Sequence, residues 1–311
     1  MKRAGGQIRQ SAVWAGVLAM LSAPTVLAHG GPYLLPTSFE VKRDYVSIQG
    51  AIGNEVFFVP TGPIRGASFY SVSPAGTRQK LETVTTLKDY SVIEAPVTEK
   101  GTYKITLGDE HARVSRYALI EGNWRVIRPA NMGNNAATPR PAAPAAPAAA
   151  APAAAPATPA QPPRPPRFVD EAAVPKDAKI TEVRNLSRAE VYVSKGAPSE
   201  ATTKPGGQGF ELRPLNHPND LYLDQGFEFE LLEDGKPLPN VAVEIARAGN
   251  FYDEKKEYAE LKTDAHGRAK VSFDKPGVYV LLTNYPAPQR DRSEAPPARS
   301  YSYTLTFEVN R

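Results

Sequence analysis

The stretch from Ala136 to Arg167 reads AATPRPAAPAAPAAAAPAAAPATPAQPPRPPR, and no packed core can be built from it. Methyl groups and pyrrolidine rings offer little apolar surface to bury, and each proline removes a backbone donor that a sheet or helix would use. A disordered Ala/Pro linker is expected across residues 136–175, with its Pro-rich parts extended as polyproline II at about 3.1 Å per residue. It serves as a spacer or tolerated loop insertion, or as a span across the gap between two membranes. The division leaves residues 29–135 and 176–311, each long enough to hold a core without disulfides, and the chain has no cysteine.

Both flanks carry the same texture. Before the linker come FEVKRDYVSIQGAI, FYSVSPAGTRQKL, GTYKITLG and ARVSRYALI; after it come AEVYVSKG, FEFELLEDGKPLPNVAVEIARAG, YAELKTDAHGRAKVSF, GVYVLLTNY and SYSYTLTFEV. Apolar and polar residues alternate over short runs between Gly, Pro, Asp and Asn punctuation, and no run sustains a 3.6-residue period. The pattern predicts an all-β protein of two sandwich modules. An internal echo supports this: EKGTYKITL at 99–107 matches DKPGVYVLL at 274–282. A turn followed by a strand with an aromatic at the corner is an immunoglobulin-like arrangement, which makes Tyr103 and Tyr279 core anchors.

The chain opens with Lys2, Arg3 and Arg9, continues into the apolar run SAVWAGVLAMLSA, and then presents Val26 and Ala28 at signal-peptidase positions. That order predicts a secretory signal at residues 1–28, with a mature chain starting at His29, exported to the periplasm and not integral to a membrane once processed. Lys plus Arg number 37 against 33 Asp plus Glu, yet three of the positive charges belong to the signal and three (Arg140, Arg164, Arg167) to the linker. Without those six the balance is 31 to 33. Nucleic-acid binding needs a dense basic face, so that class is excluded.

No cysteine nucleophile, serine elbow, phosphate-cradling glycine loop or paired-histidine zinc motif is present, so a non-enzymatic protein is expected. Four histidines remain. At a new terminus, His29 would offer its α-amine and imidazole Nδ1 to one ion, a nitrogen chelate that suits copper, nickel or cobalt. Candidate completing ligands are His111, in the hairpin GDEHARV, and His217 with Asp220, in NHPNDLY. His111 also suits a solvated hairpin tip, and His217 a hydrogen-bonded loop position beside Pro218. His266 is expected to sit exposed in a turn shaped by Asp264 and Gly267.

Two resemblances follow from these segments. The run DGKPLPNVAVEI with TDAHGRAKVSFDKPGVYVL resembles the carboxypeptidase-regulatory, transthyretin-like sandwich. The order AHGGPYLLPTSF, GAIGNEVFF, EVYVSKGAP, GFELRPLNHPNDLY and then that signature resembles the bacterial periplasmic DUF4198 family, a domain of unknown function often labelled a nickel-uptake or cobalt-transport periplasmic component. The resemblance implies a periplasmic accessory that binds or delivers a transition-metal ion or its chelate, with an outer-membrane receptor or metal transporter component as partner. A metal-free adhesion or assembly module is the alternative reading. A further one is a copper oxidase of the histidine-brace type, since HG at a mature terminus on such a sandwich also resembles lytic polysaccharide monooxygenases.

Overall fold

The computed structural model of the 311-residue chain describes residues 30–53, 58–109, 112–129, 166–249, 258–289 and 291–311. Their regular structure is almost entirely strand, interrupted by short 3-10 turns such as Glu171–Ala173 and Glu200–Thr203. The first half holds β1 (Gly31–Pro36), β2 (Tyr45–Gly53), β3 (Pro60–Pro63), β4 (Phe69–Val72), β5 (Arg78–Leu81), β6 (Val84–Thr86), β7 (Ser91–Pro96), β8 (Gly101–Leu107), β9 (Arg113–Ile120) and β10 (Asn123–Arg128). Next come β11 (Phe168–Asp170), β12 (Ile180–Lys195), β13 (Phe210–Pro214), β14 (Phe227–Glu233) and β15 (Lys236–Pro237). The chain closes with β16 (Ala242–Arg247), β17 (Tyr258–Lys262), β18 (Arg268–Val271), β19 (Gly277–Tyr285) and β20 (Arg299–Val309). The all-β class expected from period-two alternation is what forms, and no helix among the described residues is long and apolar enough to cross a membrane.

The described residues form three sheets. The first, in the order β1-β2-β7-β6 with β3 also paired to β2, comes wholly from residues before the Ala/Pro stretch. The third, β13-β14-β15 with β18 also on β14, comes wholly from residues after it. The second draws on both: it runs β11-β10-β9-β12-β20-β19-β16-β17, and β8 joins β12 and carries β4 and β5. Its axis is β12, sixteen residues long. One edge of β12 takes β9 along Ile180–Asn185 and β8 along Tyr192–Lys195, both antiparallel, while the other takes β20 in parallel along Arg184–Val191.

The alternation of β12 feeds two cores. Ala189, Val191 and Val193 pack with Leu34, Ile48, Phe69, Ile93 and Ile105 between the first sheet and the β4–β8 arm. Tyr192, from the opposite face, packs with Phe210, Phe227, Leu281, Tyr303 and Phe307 beneath the third sheet. A third, smaller cluster sets Tyr33 and Ala51 against Ala246, Val280 and Leu282. The division of the sequence at residues 136–175 therefore does not coincide with a division of the hydrophobic core. The last residues of that segment, 166–175, include β11, which pairs in parallel with β10; residues 130–165 lie outside the described residues.

The echoed tyrosines take equivalent places. Tyr103 and Tyr279 are 4% and 6% exposed; the hydroxyl of Tyr103 accepts the Glu99 N–H at 2.8 Å, and that of Tyr279 donates to the Lys275 carbonyl at 2.6 Å. Each ring is thus tied to the backbone four residues upstream, where the turn enters its strand.

Candidate functional site

Of the four residues with metal-binding potential, His29 and His111 lie outside the described residues. His217 stands in the turn before Leu221, where the Asp220 N–H donates to the His217 carbonyl at 2.9 Å. Its ring is engaged at both nitrogens. Nδ1 accepts the Asn219 N–H at 3.1 Å, so the proton sits on Nε2, which faces the Ser199 carbonyl at 3.3 Å and Thr102 Oγ1 at 3.0 Å. Burial pushes the imidazole below its ordinary value, against the hydrogen bond to Ser199 and the charges of Asp220 and Glu200.

Around His217 the bonds continue across the sequence. Thr102 Oγ1 also accepts the Ser199 N–H at 2.9 Å and lies 2.9 Å from Ser194 Oγ, while Asn219 Nδ2 donates to Ser194 Oγ at 3.0 Å. A strand of the first half, the axial β12 and the His217 turn are pinned together here. A metal ion at either ring nitrogen would have to break one of these bonds, so this arrangement suits a joint. Asp220 is exposed and contributes its backbone to the turn. Among the described residues, no three His, Cys, Asp or Glu side chains form a metal-holding group.

His266 occupies the expected exposed turn. The Asp264 carboxylate accepts the Arg268 N–H at 2.9 Å and the His266 N–H at 2.8 Å, bonds that hold it below the usual carboxylate range. Gly267 has φ +73°, and a Cβ there would lie 2.8 Å from the Leu231 oxygen, so the tight hairpin requires glycine.

A cavity lies elsewhere, on the second sheet. Side chains at directly paired positions share a face, so Asn185 and Ser187 of β12, Ser300 and Ser302 of β20 and Asn284 of β19 lie together. The same face continues through Val183 to Tyr117 of β9 and to Val126 and Trp124 of β10. Further along β20 this face is covered by β1: Thr304 Oγ1 donates to the Pro32 carbonyl at 2.6 Å, and a Cβ on Gly31 would lie 3.5 Å from Ser302 Oγ. Beyond the start of β1, residues 286–289 and 291–297 take over as cover and leave a cavity of about 920 Å³. Asn185 is fixed on its floor, accepting from Ser300 Oγ at 2.8 Å and donating to Ser115 Oγ at 2.9 Å.

None of these floor residues stood out in the sequence. The available signal was the run SYSYT, in which serines alternate with tyrosines in a strand whose tyrosines are buried. A polar face on such a strand reads as solvent-facing until the covering segments are known.

Residues 26–287 match the family described as Domain of unknown function (DUF4198). This chain belongs to the DUF4198 family. The DUF4198 match takes in β1 to β19, hence all three sheets and most of the cavity floor, and ends before β20. No curated protein matches the chain. Among solved structures, trypsin-activated alpha-2-macroglobulin from Escherichia coli is similar at 9% identity and a TM-score of 0.21, over 90% of this chain and 15% of that one.

Proposed function

We propose that this DUF4198 protein is an exported periplasmic accessory that binds or delivers a transition-metal ion, nickel, cobalt or copper, or its chelate, to an uptake system, without catalysing a reaction. The observation that carries the reading is the place where β1 begins. Gly31 abuts Ser302 at the border of the cavity, two residues after the expected mature terminus. Cleavage after Ala28 would create an α-amine and an imidazole on the residue two before Gly31, a bidentate nitrogen pair for a divalent ion. An outer-membrane receptor or transporter component is the corresponding partner.

The test compares processed protein with a form carrying one extra residue before His29, which keeps the imidazole but makes the amine a peptide nitrogen. Nickel and copper affinity, measured by calorimetry, should fall at least about tenfold in the extended form and similarly in His29→Ala. Copper will bind tightest whatever the physiological ion, following the divalent series. Equal affinity in all three forms would overturn the chelate. A metal-free protein-binding module is favoured by a separate observation: Val114 and Ile180, 55% and 45% exposed, share the outer face of β9 and β12 opposite the cavity. Copper-loaded protein that consumes peroxide would instead favour the oxidase reading.

A further inference from the structure

The geometry points to a binding site for a neutral oligosaccharide in the cavity between the second sheet and the covering residues 286–289 and 291–297, independent of any metal. Its floor is polar where β12, β20 and β19 run side by side. Beside Val183, the side chains that face it from these three strands are amides and hydroxyls: Asn185, Asn284, Ser187, Ser300 and Ser302. Amides and hydroxyls both donate and accept, as sugar hydroxyls do, so each can pair with a polyol in either sense. Ser187, Asn284 and Ser302 carry no side-chain hydrogen bond to another described residue, whereas Asn185 and Ser300 are already bonded to each other. The floor thus combines fixed and uncommitted polar groups.

Charge argues for the same class. The ionisable groups that line the cavity from the sheet strands are two tyrosines, Tyr117 and Tyr301, and the charged residues contributed by the flanking segments, Arg167 and Arg292 with Asp291 and Glu294, balance in sign. An anionic or cationic ligand would find no net counter-charge. An apolar one would strand the floor hydroxyls and amides without water, at a cost for each group left unpaired. Tyr117 and Trp124 on the β9–β10 side supply ring surfaces for the C–H faces of a sugar, and about 920 Å³ is within the size range of small-ligand sites.

A built-in reporter makes the test direct. The chain has two tryptophans, Trp14 within the expected signal and Trp124 in the cavity wall, so the tryptophan emission of processed protein comes from Trp124 alone. Maltotriose, cellotriose and tri-N-acetylchitotriose are titrated separately into processed, chelator-treated protein. At least one should shift the Trp124 emission saturably, with a dissociation constant at or below about 1 mM. Asn284→Ala and Ser187→Ala, which remove uncommitted groups, should each weaken that binding by at least about fivefold. Lys262→Ala, on the remote edge strand β17, should leave it unchanged. Absence of a saturable response to all three sugars overturns the proposal. So does sugar binding that Asn284→Ala and Ser187→Ala leave intact, because the site would then lie elsewhere.

Discussion

His217 shows how a side chain that looks like a ligand in sequence can be committed otherwise by its surroundings. Its ring partners are Asn219, two residues on, but also Ser199 and Thr102, the last 115 positions away. Only the neutral ring satisfies this set, since Nδ1 must accept while Nε2 donates. Burial lowers the folded-state pKa below the unfolded value of about 6.5, so protonation favours the unfolded chain. The stabilisation from the neutral ring is fully present above about pH 6.5 and is lost as pH falls through the depressed folded value. Urea denaturation at pH 7.5 and pH 5 should show a larger loss of stability in the native protein than in His217→Gln, which cannot titrate. At pH 7.5 the substitution itself should cost about 1–3 kcal/mol for the buried groups it leaves unpaired. Equal pH dependence in the two proteins would show that the imidazole does not titrate between folded and unfolded states.

β12 explains why the halves are joined so closely. Its segment AEVYVS is buried at every position, because small and branched residues point into the first core while Glu190 and Tyr192 point into the second. Even its charged member is accommodated: Glu190 is 5% exposed, accepts the Tyr303 hydroxyl at 2.8 Å, and has Lys104 Nζ at 3.8 Å. A strand buried on both faces cannot be destabilised for one core alone. Val191→Ala, at a position 0% exposed, removes two methyl groups and should cost about 1.5–3 kcal/mol. The loss should appear as one shifted transition, superimposable by far-ultraviolet circular dichroism and by Trp124 fluorescence. Two transitions, only one of them shifted, would mean that the cores melt separately.

Across the whole molecule, the Ala/Pro stretch connects two parts that are already held by strand pairing. β9 and β8 precede it, β12 and β20 follow it, and the β12–β9 and β12–β8 ladders cross from one half to the other. Covalent continuity through residues 136–165 is then unnecessary for the folded state to persist once formed. A site-specific protease sequence inserted after Ala150 tests this. After complete cleavage, the two fragments should co-elute as a single species of uncut size and separate only in denaturant. Fragments that elute apart under native conditions would show that each half stands on its own core.

The alternation of short apolar runs determined by itself that the chain is all-β, because period two permits burial of one face of a strand and no other regular structure. It also determined the tyrosine corners, since EKGTYKITL and DKPGVYVLL each contain the turn, the ring and the strand within nine residues, and the turn at Asp264–Gly267, whose bonds are local. The tertiary structure decided what depends on distant partners. Nothing local in AEVYVSKG announces that its two faces serve different cores, nor in SYSYT that its serines floor a cavity and do not face water. Periodicity reports that a face differs from its opposite. Which neighbour covers that face is set by contacts between strands far apart in sequence, such as the ladder of β9 with β12 and the packing of β1 across β20, and that packing also brings the start of β1 to the rim of the cavity.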